Sequence, residues 1–279
     1  LYEIDWRTTR EGRPNSIQTE DKEHAVSDSC VTVVEDSDPP VDEPLIETEQ
    51  EAPEEEPTAE NRVIVSQRDK SADFRRIGDA VAKAPDGAEI HIESGVYRES
   101  IVVRRNNITL KADEPSEVKI IPLVGIGLRI VNAEHVLLDG IVVSQHSRRF
   151  SEDPCVQIES AKSITLQGCT IRDGNAVGCL VKNGQNVALQ DTRIQTCQMG
   201  GMKATGESDV VLERCTVTDN GGYGPRNAKV TEYGILVERS SNAVIEKCVV
   251  GGNEGPGIAL ARGSCIRVAN SKIQGNGVT

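Results

Sequence analysis

Short apolar-x-apolar segments recur along the second half of the chain. In the last five of them the first apolar residues are 23, 23, 33 and 23 positions apart, and two earlier segments precede these at spacings of 28. This spacing fits a repeat of 23 residues with insertions of 5 or 10. A fixed period with loop-sized insertions is typical of a solenoid. The seven segments are residues 108–110, 136–138, 164–166, 187–189, 210–212, 243–245 and 266–268.

Each repeat offers three short strands. Seven residues after its start stands another aliphatic residue, such as Ile171 or Val217, and a third apolar segment follows a glycine, as at Gly178 and Gly201. Turn-forming residues separate these segments, and none is long enough for a helix. Stacked coils lie about 4.8 Å apart, so equivalent positions form columns that bury aliphatic side chains against one another. The pattern predicts an all-β fold, a parallel β-helix with three strands per coil.

The segment before the first coil has helical spacing. Phe74, Ile77, Val81 and Ala84 are 3, 4 and 3 positions apart, and the sequence Pro-Asp-Gly follows. This spacing is typical of one face of an amphipathic helix, which we predict over residues 72–84. A solenoid needs its first coil covered, because an exposed sheet edge pairs with other chains. The helix is the predicted cap.

The opening of this domain resembles a known family. The helix, the Pro-Asp-Gly turn at 85–87, a Gly-Val-Tyr turn at 95–97 and the repeated coils are similar to the pectin lyase-like superfamily. The resemblance covers residues 72–279 and implies a right-handed parallel β-helix. It leaves the function open, because the superfamily contains pectate lyases, pectin esterases, polygalacturonases and epimerases, and also noncatalytic F-box ubiquitin-ligase subunits and SHC-binding proteins.

The catalytic motifs of these enzymes are largely missing. The Gly-Val-Tyr turn and the string Gln-Asp-Thr at 190–192 are similar to two parts of the pectin methylesterase pattern, but its Asp-Phe-Ile-Phe-Gly and Arg-x-Trp motifs are absent. The polygalacturonase motifs are absent as well. The string Asp-Pro-Cys-Val at 153–156 lacks the histidine and the second aspartate of an epimerase. The chain therefore looks closer to the noncatalytic members.

One pair of carboxylates stays a catalytic candidate. Asp173 and Asp219 occupy the same position in coils two apart, so we expect their backbones about 9.6 Å from each other. A carboxyl separation of about 6.5–9.5 Å is typical of an inverting glycoside hydrolase. Each aspartate also precedes a Gly or Asn, as turn-forming aspartates do. A catalytic pair and a pair of turn residues are the alternatives.

The two longest insertions carry candidate binding residues. Residues 144–154 and 221–233 both precede the third strand of their coil, so both should emerge from one corner of the solenoid, about 14 Å apart along its axis. Arginine and aromatic side chains are frequent anchors of binding surfaces. The partner-binding candidates are His146, Arg148, Arg149, Phe150, Tyr223, Arg226 and Tyr233. Tolerated surface loops without a function are the alternative.

Charge divides the chain into two parts. Residues 1–60 contain 19 Asp and Glu against 4 Lys and Arg, and so account for the whole net charge of −13. The second half of this stretch has 12 acids, five prolines and no base, a composition that buries too little apolar surface to fold. We predict a disordered acidic arm at 1–61 and the β-helix at 62–279. Its last coil lacks a polar cap, so we expect it to continue in a longer protein.

The eight cysteines are predicted to be reduced. Cys169, Cys215 and Cys248 fall in one inward column, where parallel side chains have poor disulfide geometry. Buried thiols of this kind act as small core residues. They favour a cytoplasmic or nuclear location, with secretion as the alternative. Because there is no Cys-x-x-Cys motif and the 4 histidines are scattered, we predict no metal site and no cofactor.

We therefore interpret the chain as a noncatalytic interaction module or substrate-recognition scaffold, whose loop-bearing corner binds a protein or polysaccharide partner. The alternative is a carbohydrate-active enzyme, namely a polysaccharide lyase, an esterase or a glycoside hydrolase. Nucleic acid and membrane are not predicted partners, and no apolar run is long enough to cross a membrane. The missing catalytic motifs favour the interaction module.

Overall fold

The computed structural model describes residues 2–3, 30–34, 61–145, 151–222, 232–261 and 263–277. The described chain winds as a parallel β-helix, in which successive coils add one strand to each of three sheets. Sheet 1 has ten strands, and sheets 2 and 3 have eight each. The all-β solenoid that the repeat predicts is thereby confirmed.

Sheet 1 opens each coil. Its strands, in spatial order, are β3 (Arg62–Val65), β4 (Glu89–Ile92), β7 (Ile108–Ala112), β10 (Glu134–Asp139), β13 (Lys162–Gln167), β16 (Gln185–Gln190), β19 (Asp209–Glu213), β22 (Asn242–Glu246), β25 (Cys265–Ala269) and β2 (Cys30–Val34).

Sheets 2 and 3 complete the coil. Sheet 2 consists of β5 (Gly95–Tyr97), β8 (Val118–Ile120), β11 (Val142–Ser144), β14 (Thr170–Arg172), β17 (Arg193–Gln195), β20 (Thr216–Thr218), β23 (Val249–Gly251) and β26 (Lys272–Gln274). Sheet 3 consists of β6 (Ile101–Val103), β9 (Leu128–Val131), β12 (Val156–Glu159), β15 (Val177–Lys182), β18 (Gly200–Thr205), β21 (Tyr233–Val237), β24 (Ile258–Leu260) and β1 (Tyr2–Glu3). Strand β1 pairs antiparallel with β24.

The predicted register is confirmed residue by residue in sheet 1. Ile164 lies opposite Val187, and Val187 lies opposite Val210. Two residues further along, Leu189 is fully buried in the same aliphatic interior. Because neighbouring strands lie about 4.8 Å apart, each inward side chain contacts its equivalents above and below, and the columns form one continuous core.

Small donors line a second inward column at the corner between sheets 1 and 2. Thr192 Oγ1 donates to the carbonyl of Leu166 at 3.1 Å, and the thiol of Cys215 donates to that of Leu189 at 3.2 Å. Burial raises the pKa of the Cys169 thiol to about 12, so this thiol stays protonated. The prediction of reduced, buried thiols is confirmed for Cys155, Cys169, Cys179, Cys197, Cys215 and Cys248.

The remaining two cysteines correct that prediction. Cys30 and Cys265 lie opposite each other on β2 and β25 and form a disulfide, with their Cα atoms 4.6 Å apart. This separation is within the range that a disulfide bridges. Cys30 and Cys265 lie on adjacent strands, one coil apart, whereas Cys169 and Cys215 are two coils apart and too far from each other to form a disulfide.

Strand β2 lies within the predicted acidic arm. Of residues 1–61, for which the sequence predicts disorder, the structure describes 2–3, 30–34 and 61. Strand β2 pairs with β25 along its whole length, and Val31 packs against the main core. An alternating apolar segment can therefore join the solenoid although its flanks are acidic. The other arm residues lie outside the described part, and their disorder stays a prediction.

The N-terminal helix is shorter than predicted. Helix α1 spans Ile77–Lys83, whereas Phe74 forms a bridge to Val65 of β3. The buried carboxylate of Glu99 fixes the start of α1, since it accepts hydrogen bonds from the N–H groups of Ile77 and Gly78 at 2.9 and 3.0 Å. Cover for the first coil thus comes from strand and helix together. No helix of the described residues is long and apolar enough to cross a membrane.

The register predicts unequal effects at two adjacent positions. Replacing Leu189 with Ala should lower the free energy of unfolding by about 2–5 kcal/mol, because the substitution leaves a cavity in the core. Replacing the outward Gln190 with Ala should change it by about 0.5 kcal/mol or less. Denaturant unfolding of the two variants measures both values, and equal losses would contradict the assigned register.

Candidate partner-binding corner

Both long insertions lie where sheet 2 meets sheet 3. The first connects β11 to β12, and the second connects β20 to β21. In sheet 3, β12 and β21 are three strands apart, which places the insertions about 14 Å from each other along the axis. The two loops therefore share one corner, as the sequence predicts.

Most of the candidate binding residues lie outside the described part of the chain. These are His146, Arg148, Arg149, Phe150, Tyr223 and Arg226. Their role in binding stays a prediction. The structure describes the base from which each loop leaves the solenoid.

Tyr233 is described, and its burial corrects its assignment to an exposed loop. It is 5% exposed and begins β21, where it packs with Leu236 and Ala259. Its ring covers Gly200 on the neighbouring strand; a Cβ added there would lie 2.5 Å from ring atom Cε2. Burial raises the pKa of the Tyr233 hydroxyl. We therefore assign Tyr233 a packing role at the end of the second loop.

Gln145 holds the base of the first loop. Its side-chain NH₂ donates to the carbonyls of Gly125, Asp153 and Pro154 at 2.9, 3.2 and 3.0 Å, and its side-chain oxygen accepts from the N–H of Asn175 at 3.0 Å. These partners belong to three successive coils, and Gln145 itself is only 4% exposed. A single buried amide therefore ties the loop to the coil on either side.

An apolar tip lies beside this base. Leu123 and Val124 are 73% and 79% exposed in the connection between β8 and β9, at the same corner and one coil before the first loop. The carbonyl of Val124 accepts a hydrogen bond from Ser100 at 3.3 Å, and the next carbonyl, of Gly125, accepts from Gln145. Exposed aliphatic side chains on an anchored backbone are suited to contact a partner. The repeat pattern does not predict this tip, although the string Pro-Leu-Val-Gly at 122–125 breaks its alternation.

An asparagine ladder supports the second loop. Asn220 Nδ2 donates to Asn253 Oδ1 at 2.9 Å, and Asn253 Nδ2 donates to Asn276 Oδ1 at 2.8 Å. Each of the three amides also donates to a main-chain carbonyl of the interior. The loop starts directly after this ladder, at Gly221 and Gly222, whose φ values of 99° and 94° are left-handed. Buried amides thus fix where the chain leaves the solenoid.

The outer face of sheet 3 beside the corner carries paired charges. Glu159 accepts hydrogen bonds from Arg129 at 2.5 Å and from Lys182 at 3.0 Å, and these bonds hold the pKa of Glu159 below its usual range. Lys203 and Glu238 form a second ion pair at 3.0 Å. Charges of both signs alternate along this face, so a partner that crosses it meets polar groups that already have partners within the chain.

Asp173 and Asp219 occupy turn positions. Their φ values of 55° and 57° are left-handed, a conformation in which Asp is more frequent than most residues. Thr196 stands in the same column between them, and its hydroxyl donates to Asp173 at 2.9 Å. Ser144 also donates to Asp173, at 3.3 Å. The carboxylate of Asp173 is therefore engaged by hydroxyl groups of the coils on either side.

The Gln-Asp-Thr string forms a structural corner as well. Asp191 makes two hydrogen bonds with the guanidinium of Arg214, at 2.8 and 2.9 Å, and these bonds lower the pKa of Asp191. Thr192 points inward and is fully buried. An aspartate that is paired in this way accepts from a fixed cation and has no proton to donate.

Metal-ligating side chains are dispersed over the described residues. Within the described ranges, no group of three or more His, Cys, Asp or Glu side chains is arranged to hold a metal ion.

Comparison with known proteins identifies the same architecture. The family model described as "Right handed beta helix region" matches residues 108–273. No curated protein matches the sequence at a significant level. The match spans β7 to β26 and confirms the right-handed winding that the resemblance implied.

Solved structures of similar fold act on polysaccharides according to their names. A polygalacturonase from Erwinia carotovora ssp. carotovora has a TM-score of 0.60 at 12% identity, over 80% of this chain and 72% of its own. A pectin methylesterase in complex with a hexasaccharide has a TM-score of 0.54 at 14% identity. The A-module of an Azotobacter vinelandii mannuronan C-5 epimerase has a TM-score of 0.50 at 16% identity. This chain covers 66% of the length of each of the last two, just under two thirds, and they cover 72% of it. At these identities the likeness establishes the fold alone.

Replacing Gln145 with Ala should destabilise the corner. The change removes the hydrogen-bond partner of the buried carbonyl of Pro154, of the buried N–H of Asn175 and of two partly buried carbonyls. Leaving a buried group unpaired costs about 1–3 kcal/mol in free energy of unfolding. Hydrogen exchange of residues 121–126 and 151–155 should accelerate together. Thermal unfolding and exchange mass spectrometry measure the two effects.

Gln157 provides the matched control. Its amide donates only to Glu159 among the described residues, on the outer face of sheet 3, so Gln157→Ala should leave corner exchange unchanged. If Gln145→Ala and Gln157→Ala gave the same exchange pattern, the role assigned to Gln145 would be wrong.

Proposed function

The chain belongs to the right-handed β-helix family, and because this fold does not fix a function, we propose from its residues that it is a noncatalytic interaction module. It acts as a scaffold whose corner between sheets 2 and 3 binds a partner. The partner is a protein or a polysaccharide, and neither nucleic acid nor a membrane is part of the proposal.

The observation that carries this proposal is the fixed base of the corner. Gln145 connects three coils beneath the first loop, and the ladder that begins at Asn220 supports the second. A surface whose backbone is fixed before binding loses less conformational entropy when a partner docks. The exposed Leu123 and Val124 supply apolar area on that surface.

The state of the carboxylates supports a noncatalytic role. Asp173 is engaged by Ser144 and Thr196, and Asp191 is engaged by Arg214. General acid–base catalysis needs a carboxyl group that can reach a substrate and change its protonation state. The contacts of these aspartates favour turn formation over that chemistry.

The second candidate is a polysaccharide-modifying enzyme. It is favoured by one observation: Asp173 and Asp219 lie at the corner that also bears both loops, two coils apart and thus about 9.6 Å between backbones. The solved structures of similar fold are named as carbohydrate-active enzymes. A catalytic role would require Thr196 to move aside or to take part in substrate binding.

The compartment is part of the proposal. Six cysteines are buried thiols, which favours a cytoplasmic or nuclear location, where thiols stay reduced. The surface disulfide between Cys30 and Cys265 fits an oxidising compartment equally well. Localisation of the tagged full-length chain in cells tests this part.

The interaction proposal predicts a position-specific loss of binding. In affinity capture from cells that express the chain, Leu123→Asp combined with Val124→Asp should reduce recovery of the partner at least about tenfold, because charges on the tip would be buried on docking. Val211→Asp is the matched control, since Val211 is 40% exposed on the outer face of sheet 1. Quantitative mass spectrometry measures recovery. Equal recovery by the wild type and both variants would contradict the assignment of the corner.

The noncatalytic proposal makes a separate prediction. The wild-type chain should show no turnover of polygalacturonate, pectin or alginate, measured by product chromatography. Asp173→Asn combined with Asp219→Asn should leave partner recovery unchanged, with Asp209→Asn in sheet 1 as the control. Turnover that the double substitution abolishes and the control retains would establish the enzyme instead.

A further inference from the structure

Strand β2 precedes the solenoid in the sequence, but it pairs beyond β25, at the far end of sheet 1, where a further coil would lie. It pairs in parallel with β25 over five residues, from Cys30 opposite Cys265 to Val34 opposite Ala269. Val31 and Val33 lie opposite Ile266 and Val268, which are the buried positions of β25. The segment thus repeats the apolar-x-apolar start of every earlier coil and continues the inward columns of sheet 1 by one step.

The chain is long enough to reach its own far end. Strands β2 and β3 form the opposite edges of the ten-stranded sheet 1, nine steps or about 43 Å apart. The 27 residues between Val34 and Arg62 span up to about 90 Å when extended. One chain can therefore place residues 30–34 on its own last coil without help from a second copy.

The disulfide that holds β2 lies on the surface. Cys30 is exposed and Cys265 is partly exposed, whereas the six other cysteines are buried. An exposed disulfide is open to attack by a thiolate. A dithiol reductant would supply two electrons and two protons, so that the Sγ–Sγ bond breaks, both cysteines become thiols and the reductant becomes a disulfide.

Apart from this bond, β2 is held by its main-chain pairing with β25 and by a partial apolar contact. Val33 is 36% exposed and Val31 is partly exposed, so the apolar area that β2 buries is small. The disulfide adds to that contact, because it keeps β2 beside β25 by closing a loop between positions 235 residues apart. When β2 leaves, the outer edge of β25 presents unpaired N–H and C=O groups, which accept an extended strand.

We propose that the outer edge of β25 is a strand-binding surface, which the chain covers with its own residues 30–34 while Cys30 and Cys265 are oxidised and opens when they are reduced. The open edge accepts an extended peptide with two aliphatic residues spaced as Val31 and Val33 are. This regulation is separate from the corner between sheets 2 and 3, and it does not depend on the function proposed for that corner.

Hydrogen exchange of the full-length chain tests the release. The N–H of Cys265 donates to Ser241 of the preceding coil, so the alternate amides of Ile266 and Val268 face β2. The amides of Ile266 and Val268 should exchange at least about tenfold faster after reduction with dithiothreitol, and Cys30→Ser should give the fast rate with and without reductant. Residues 210–217 in a central coil provide the internal control and should not change. Slow exchange at Ile266 and Val268 in Cys30→Ser, equal to that of the oxidised wild type, would overturn the proposal. So would mapping of the oxidised chain that finds Cys30 unpaired, or linked to a second chain.

A peptide probe tests the open edge. A fluorescent peptide of residues 29–35, with serine at the position of Cys30, should bind the full-length variant Cys30→Ser, Val31→Asp, Val33→Asp, because the strand of that variant competes poorly for the edge. The affinity of the peptide for this variant should be at least about tenfold higher than its affinity for the oxidised wild type. The same peptide with both valines replaced by Asp is the control. Equal binding of the two peptides, or equal affinity for the two proteins, would overturn the strand-binding surface.

Discussion

The stacking of coils at about 4.8 Å is the constraint on which the rest of this structure depends. Main-chain hydrogen bonds run from coil to coil. Each coil therefore pairs the N–H and C=O groups of the coil before it, and its own outer groups need a further strand. Equivalent side chains are forced into contact, as in the column of Ile164, Val187 and Val210. Inserted residues can leave the stack only at a corner, and the two long loops do so at the corner between sheets 2 and 3. The candidate binding surface therefore lies at a corner because the stacked coils leave no room for insertions elsewhere.

The corners also explain the buried polar groups. Near each bend, carbonyls of strand residues accept hydrogen bonds from inward columns of small donors. Thr192 and Cys215 donate to carbonyls of sheet 1 beside its corner with sheet 2, and Asn220 and Asn253 donate to carbonyls of sheet 2 beside its corner with sheet 3. The two end coils need partners as well. Helix α1 and strand β3 cover one end of the solenoid, and strand β2 covers the other.

Structural features that repeat from coil to coil can be predicted from the sequence, whereas contacts that occur only once cannot. The register of sheet 1 could be assigned from β7 to β25, because stacking requires similar side chains at equivalent positions. Pairing of Cys30 with Cys265 joins segments 235 residues apart and has no counterpart in the repeat. Gln145 looks like an ordinary loop residue until three coils are seen around it. The burial of Tyr233 depends on Gly200, which makes room for its ring one coil away, and the sequence around Tyr233 does not show this. Helix α1 begins late because Glu99, 22 residues further along, binds its first N–H groups.

Removal of one whole coil tests the central claim of in-register columns most directly. Deleting residues 164–186, 23 in number, joins Ser163 to Val187 and sets Val187 above Val136, so that every inward column continues. Deleting residues 164–187 joins Ser163 to Ala188 and turns Leu189 outward, because a shift of one residue exchanges the two faces of a strand. Thermal unfolding followed by circular dichroism should show a cooperative transition for the first variant and none for the second. Equal behaviour of the two variants would contradict the account.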